Sequence, residues 1–191
     1  NGQGFDIGYT TVCNYIRSKS VRRQSKEAFI RQEYEPGETC EFDWGEIKLY
    51  IKDELVRFQL AVFTSAYSNY RFAAFYQRQD TLAFMESHVA FFDFTKGVYR
   101  QMVYDNMRVA VAKFVGSQEK VPTQALLQLR GHYQFSHRFC NAYRGNEKGH
   151  VERSVEYIRR KSFGVKCRFD SPQEAEQWLM FTINKLNATR Q

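Results

Sequence analysis

The stretch ETCEFDWG, residues 38 to 45, alternates apolar and polar side chains with the period of a β-strand. The alternation places Cys40, Phe42 and Trp44 on one face of the strand and Glu41, Asp43 and Gly45 on the other. Aspartate is uncommon in strands, so Asp43 is the first residue in the chain that suggests a function.

Further runs on the C-terminal side extend this pattern into a sheet. IKLYI (47–51) continues the first strand, and LVRFQLAVFTSAYS (55–68) and YRFAAFYQ (70–77) follow after short polar turns, which predicts a three-stranded antiparallel meander. VYRQMVYDN (98–106) and YQFSHRF (133–139) read as a fourth and a fifth strand. The sequence therefore predicts a five-stranded mixed sheet.

Helical segments separate and follow the later strands. One begins after a possible N-cap at Asp80, with Leu82, Met85, Val89 and Phe92 at helical spacing. Others are predicted at TQALLQLR (123–130), at 145–163, and after Asp170 or Ser171, where Pro172 suits a first turn. Strands that alternate with helices in this order predict an α/β domain with helices flanking the sheet.

Composition limits the possible classes of protein. The chain of 191 residues is 43% hydrophobic and 16% aromatic, as expected of a folded globule. No run approaches the roughly 20 apolar residues of a membrane span, so no membrane partner is expected. The four cysteines and four histidines have no zinc-finger spacing, so we expect reduced thiols in a cytoplasmic protein.

Basic residues are clustered rather than spread evenly. Between residues 17 and 31 there are six basic residues and one acid. A second cluster comprises Arg153, Arg159, Arg160, Lys161, Lys166 and Arg168. Such clusters suit contacts with DNA phosphates, although either could also be an ordinary solvated face.

The segment GNEKGHVERSVEYIRRKSF, residues 145 to 163, contains a third carboxylate of interest. At 100° per residue, Val151, Val155 and Ile158 form one buried stripe of a helix. Glu152 lies at the rim of that stripe, whereas Glu156 lies further toward solvent.

Three acids could meet if the fourth strand pairs beside the first. Asp43 would then neighbour Asp105, and Glu152 would reach them from the helix. Crowded carboxylates repel unless they share divalent cations, and sites made of oxygen ligands suit Mg²⁺ or Mn²⁺. The alternatives are that Asp105 and Asn106 form only a turn and that Glu152 is an ordinary surface residue.

The strings FDWGE, VYDNMRVAV and HYQFSHRFCNAYRGNEKGHVER together resemble the catalytic domain of IstA-like transposases, in the superfamily of DDE transposases and retroviral integrases. The resemblance covers about residues 38–165 and implies an RNase H-like fold. It also implies that Asp43, Asp105 and Glu152 are the catalytic, metal-binding acids.

The separation of the second and third acids is longer than in retroviral integrases. Glu147 and Glu156 are therefore competitors for the third position, and the helical wheel favours Glu152.

The resemblance also implies a division of the chain. Residues 1–36 would be the end of a truncated helix-turn-helix DNA-binding region and a basic linker, 37–170 the catalytic domain, and 171–191 a C-terminal helix. The start at Asn1 indicates a fragment, and a β-rich domain is expected beyond residue 191. Expected partners are transposon-end and target DNA, further copies of the chain and a companion AAA+ ATPase, in the bacterial cytoplasm at the nucleoid.

The implied activity is metal-dependent cleavage of DNA 3′ ends followed by strand transfer, with two Mg²⁺ or Mn²⁺ ions per site. Candidate nucleic-acid contacts are Arg22, Arg23, Lys148, Arg153, Arg159, Arg160 and Lys161. His150 could orient DNA or water. Two alternatives are an RNase H-like nuclease without strand transfer and a non-catalytic DNA-binding or assembly module.

Overall fold

The computed structural model describes residues 8–19, 33–115, 119–140 and 151–189. The chain divides into two compact units, residues 1–32 and 33–191. In the first unit the structure describes one helix, α1 (Tyr9–Lys19), on which Tyr9, Val12 and Tyr15 are exposed. None of the helices in the described ranges is both long and apolar enough to cross a membrane.

The second unit is built on the predicted meander, strands β1 (Thr39–Ile51), β2 (Glu54–Ser65) and β3 (Arg71–Tyr76). β1 pairs antiparallel with β2, and β2 with β3. Lys52 and Asp53, the two residues between β1 and β2, both have positive φ. This backbone matches the right-handed twist of the flanking strands and explains the tight hairpin.

Two parallel strands complete the main sheet. β4 (Gln101–Tyr104) pairs parallel with β1, and β7 (Ser136–Phe139) pairs parallel with β4. The order β3-β2-β1-β4-β7 confirms the predicted five-stranded mixed sheet. A two-residue strand, β8 (Arg168–Phe169), adds to the end of β1.

Helices cover both faces of the sheet. They are α2 (Thr81–Thr95), α3 (Gln124–Tyr133), α4 (Val151–Lys161) and α5 (Pro172–Ala188). The core with α2 and α3 is mainly aromatic and includes Phe42, Phe63, Phe84, Phe91 and Tyr104. The core with α4 and α5 is mainly aliphatic and includes Leu49, Leu60, Val62, Ile158 and Ile183. Asp80 and Ser171 cap α2 and α5 as the sequence suggested.

The buried face of α2 differs from the stripe that the sequence suggested. Leu82 is 65% exposed and Val89 is 49% exposed, whereas Phe84 and Phe91 are buried. Phe91 stacks on Phe63 of β2 with ring centroids 4.3 Å apart. The helix is apolar on more than one side, and packing against the aromatic sheet determines which side is buried.

A small hairpin lies between the predicted fourth strand and the helix that follows it, where the sequence predicted no strand. β5 (Val111–Val115) and β6 (Glu119–Pro122) pair antiparallel outside the main sheet. The backbone N–H of Thr123 donates to Ala110 (2.9 Å) and its hydroxyl donates to the carbonyl of Val109 (2.8 Å). These bonds hold the two ends of the hairpin together.

Two polar side chains are fully buried in the aromatic core. His88 Nδ1 lies 2.7 Å from the carbonyl oxygen of Phe84, and Nε2 lies 2.9 Å from the hydroxyl of Tyr104. A carbonyl can only accept, so Nδ1 carries the proton and Nε2 accepts from the tyrosine. Burial lowers the pKa of His88 to about 4, so the imidazole stays neutral in the folded protein.

Stability should therefore fall as the pH drops from about 6.5 toward 4, because the unfolded chain binds a proton at His88 that the folded chain does not. The expected loss assigned to this residue is about 3 kcal/mol in the free energy of unfolding. Urea unfolding across this pH range should show a shallower slope for His88→Gln than for the wild type. The exposed His132→Gln is the control, and equal slopes in all three proteins would contradict the assignment.

The close approach of α4 to β1 gives a second prediction. A Cβ added at Gly45 would lie 2.5 Å from Cγ1 of Val155, a side chain with little rotamer freedom. Gly45→Ala should therefore lower the free energy of unfolding by about 1–3 kcal/mol, and Val155→Ala in the same chain should recover part of this loss.

Gly131→Ala is the matched control, because no atom lies within 4 Å of the added Cβ and Gly131 is inside α3. This change should stabilise by up to about 1 kcal/mol. Thermal and urea unfolding measure both effects, and an unaltered stability of Gly45→Ala would rule out the tight contact.

Candidate active site

Asp43 lies in the middle of the long central strand β1. Its neighbours Phe42 and Trp44 face the aromatic core, so Asp43 is on the opposite face, with Gly45 and Ile47. The side chain is half-buried, and Oδ1 accepts a hydrogen bond from the backbone N–H of Trp44 at 2.9 Å. The face carrying Asp43 is the one that α4 covers.

Asp105 follows β4 and lies beside Asp43. Phe42 pairs with Tyr104 in the parallel register, and each aspartate comes one residue later. Neighbouring strands are about 4.8 Å apart, so the two carboxylates start from adjacent positions on the same face. A tight turn, in which the N–H of Met107 donates to the carbonyl of Asp105 at 2.8 Å, follows directly.

The direction of α4 is fixed by two contacts with β1. Val155 lies above Gly45, and Arg159 and Phe163 border a cleft with Glu46, Ile47 and Lys48. The helix therefore runs in the same direction as β1, and its first turn lies toward Asp43. Glu152 is one turn before Val155 in the backbone of α4; its side chain lies outside the described residues.

The other candidates for a third acid differ in position. Glu156 borders the cleft with Lys48, and it pairs with Arg159 at 3.5 Å while its side chain remains 69% exposed. Glu147 and His150 lie outside the described residues. Val155 and Ile158 are buried as the helical wheel predicted.

The structure describes four of the seven predicted nucleic-acid contacts, and all are on α4. Arg153, Arg160 and Lys161 are exposed, and Arg153 and Arg160 border a shallow depression with Tyr157. Arg159 is half-exposed beside Glu156. Arg22, Arg23 and Lys148 lie outside the described residues.

Two carboxylates on one face fit a hard divalent cation, because Mg²⁺ and Mn²⁺ prefer oxygen ligands. Among the described side chains no group of three His, Cys, Asp or Glu converges on one point. The assignment of Asp43, Asp105 and Glu152 as metal ligands therefore stays a prediction.

Sequence reasoning missed two buried charged residues on the same face. Glu41 is 3% exposed and precedes Asp43 by two positions on β1, and Arg71 is 8% exposed at the start of β3. Arg71 could have been noticed as the one charge within the apolar run YRFAAFY. The residues that Arg71 contacts, however, are distant from it in the sequence, so these contacts could not be predicted.

Comparison with known proteins relates the chain to transposases. It is 31% identical over 183 residues to the transposase for insertion sequences IS1326/IS1353 of Pseudomonas aeruginosa, covering 92% of this chain and 36% of that protein. It is 32% identical over 187 residues to the transposase for insertion sequence element IS21 of Pseudomonas aeruginosa, covering 95% and 47%. The chain therefore spans between a third and a half of these relatives. No family model matches it.

The fold is shared with a retroviral enzyme. The HTLV-2 integrase catalytic core domain, solved in complex with magnesium, superposes with a TM-score of 0.62 at 14% identity, over 83% of this chain and 92% of that domain. At that identity the likeness shows the fold, which is the RNase H-like fold that the motifs implied. The resemblance to IstA-like transposases is therefore confirmed: the chain is a relative of the insertion-sequence transposases and has the catalytic-core fold of the retroviral integrases.

Proposed function

We propose that this chain is the catalytic domain of a DNA transposase that cleaves the 3′ ends of its element and joins them to target DNA. The observation that carries the proposal is the parallel pairing of Phe42 with Tyr104, after which Asp43 and Asp105 are the next residues of their chains, together with the packing of α4 on the face of β1 that carries Asp43. The relatedness to insertion-sequence transposases supports it.

The proposed metal ligands are Asp43 on the central strand, Asp105 after β4 and Glu152 on α4. Together they would hold two Mg²⁺ or Mn²⁺ ions. Divalent ions at this position would make the attacking hydroxyl more acidic and offset the charge that develops on the phosphate. The magnesium in the HTLV-2 integrase core is consistent with this assignment.

The reaction is an in-line substitution at phosphorus. In cleavage, the oxygen of water forms a bond to phosphorus while the bond to the 3′ oxygen breaks, and the 3′ oxygen leaves as a hydroxyl. In strand transfer the oxygen of that 3′-OH forms a bond to phosphorus of a target phosphodiester while the bond to the target's own 3′ oxygen breaks, and this oxygen leaves as a hydroxyl. The proposed reaction needs no covalent bond between the chain and DNA. The three carboxylates would hold the ions, and basic side chains would hold phosphates.

The proposed DNA contacts extend from the acids along α4. Arg153, Arg160 and Lys161 are exposed on that helix, and Arg159, Lys148, Arg22 and Arg23 would add further positive charge. Each phosphate contact releases condensed counterions, so binding should weaken steeply with salt. Further copies of the chain and a companion AAA+ ATPase are proposed partners, with the bacterial nucleoid as the place of action.

Two other functions are compatible with the same fold. An RNase H-like nuclease would use the same acids to hydrolyse nucleic acid without joining ends. A binding or assembly module would keep its function when an acid is removed. The relatives favour transposition, and joining of a supplied 3′ end separates it from both alternatives.

The proposal predicts that Asp43→Asn, Asp105→Asn and Glu152→Gln each abolish strand transfer. Removing a metal-binding carboxylate should cost about 3 kcal/mol of transition-state stabilisation, or at least about 100-fold in rate. The measurement uses the full-length protein, a pre-cut end of its element and a plasmid target in Mg²⁺, with joined product resolved by gel electrophoresis.

Glu147→Gln and Glu156→Gln are the matched controls and should join ends at close to the wild-type rate. DNA binding by every variant must be measured in parallel. Full joining by Glu152→Gln would move the third acid to a neighbour. Hydrolysis without joined product in the wild type would favour the nuclease, and joining by all three acid variants would exclude a metal-dependent reaction at this site.

A further inference from the structure

Arg71 has an unusual position for a charged residue. It begins β3, where it pairs with Thr64 of β2, and Thr64 pairs with Glu41 of β1. Paired positions share a face of a sheet, so Arg71 is on the face that carries Asp43. Its side chain is buried under α4.

The side chain of Arg71 contacts the first half of α4 in two places. Its Nε–H donates to the hydroxyl of Ser154 at 3.1 Å, and Ser154 is 1% exposed. Its guanidinium carbon lies 4.8 Å from the ring centroid of Tyr157, one turn further along. A planar guanidinium both donates and stacks, so these contacts depend on arginine rather than on positive charge alone.

The backbone of Arg71 is held by a different helix, α5. The side chain of Asn187 on α5 accepts from the N–H of Arg71 at 2.9 Å and donates to its carbonyl at 2.7 Å. Both backbone groups of one residue are thus held by one amide. The backbone of Arg71 is therefore held in place on the sheet. Through its side chain, Arg71 in turn holds α4 in a defined position relative to the sheet.

Burial of this side chain is costly. It lowers the pKa of Arg71, against a smaller opposing effect of Tyr157. Nη1 is buried and has no hydrogen-bond partner among the described residues, and the same holds for the hydroxyl of neighbouring Thr64. An apolar side chain in this place would avoid the desolvation penalty, so stability alone does not account for the arginine.

The two halves of α4 are anchored differently. The second half is held by buried Ile158 and Phe163, and the indole N–H of Trp178 donates to the carbonyl of Ser162 at 3.1 Å. In the first half, the described anchors are Val155 against Gly45 and the contacts of Arg71. Loss of Arg71 should therefore loosen the first turn and leave the rest of the helix in place.

We propose that Arg71 is a positioning residue for the third acid. By holding Ser154 and Tyr157, it sets the first turn of α4, and with it Glu152, at a fixed place above Asp43. This inference rests on the proposed role of Glu152. It adds a residue from the edge strand β3 that is not one of the proposed metal ligands.

The test is Mn²⁺ binding to the 191-residue chain, measured by isothermal titration calorimetry without DNA. Arg71→Lys should raise the dissociation constant for Mn²⁺ about 10-fold, the size typical of residues that orient a metal ligand. Ser154→Ala should raise it in the same direction. Arg57→Lys, an exposed arginine on β2, is the matched control and should leave it unchanged.

Amide hydrogen exchange supplies a readout that a general loss of stability would not reproduce. In Arg71→Lys, exchange should accelerate at residues 154–157 and remain as in the wild type at 158–161. If Arg71→Lys does not fold, Mn²⁺ binding and amide hydrogen exchange are both measured on Ser154→Ala instead. Uniform acceleration over α4, or unchanged Mn²⁺ binding in a folded variant, would overturn the proposal.

Glu152→Gln separates the failure of this inference from failure of the proposed function. If Glu152→Gln binds Mn²⁺ as the wild type does, the assignment of the third acid is wrong. If Glu152→Gln weakens binding but Arg71→Lys and Ser154→Ala do not, only the role of Arg71 is wrong. In the double variant, Arg71→Lys should add no further weakening to Glu152→Gln.

Discussion

The parallel pairing of β4 with β1 is the interaction on which the proposed chemistry depends. β1 continues for nine residues beyond its paired position Phe42, whereas β4 ends at Tyr104. The end of one strand therefore lies beside the middle of another, and Asp105 follows β4 away from the edge of the sheet. A shift of the register by one residue would send Asp105 to a different neighbour and would separate the two acids.

The two faces of the sheet contribute differently to this arrangement. On the aromatic face, the hydrogen bond between Tyr104 and His88 links β4 to α2. The opposite face, which carries Asp43, also holds the buried charged residues Glu41 and Arg71. One face supplies rigidity, and the other accommodates the charges that the proposed metal binding and phosphate chemistry would require.

Much of the fold was predictable because its signals are local. The alternation around Asp43 identified β1, and the spacing of Val155 and Ile158 identified the buried side of α4. The face of α2 was misassigned, since Phe84 and Phe91 compete with Leu82 and Val89 at similar spacing and the sheet decides between them. Arg71 was missed because its partners, Ser154 and Asn187, are far away in the chain. The third acid stays a prediction, since its side chain lies outside the described residues.

The β5–β6 hairpin has a consequence for how related proteins are recognised. It begins and ends at two hydrogen bonds from Thr123, one from its backbone N–H to Ala110 and one from its hydroxyl to Val109, outside the main sheet. Its length can therefore change in evolution without displacing β4 or α3, which lie on either side of it. The number of residues between the second and third acids is then a poor criterion for comparing distant homologues. Alignment by the middle of β1, the end of β4 and the start of α4 would match corresponding positions whatever the size of the intervening insertion.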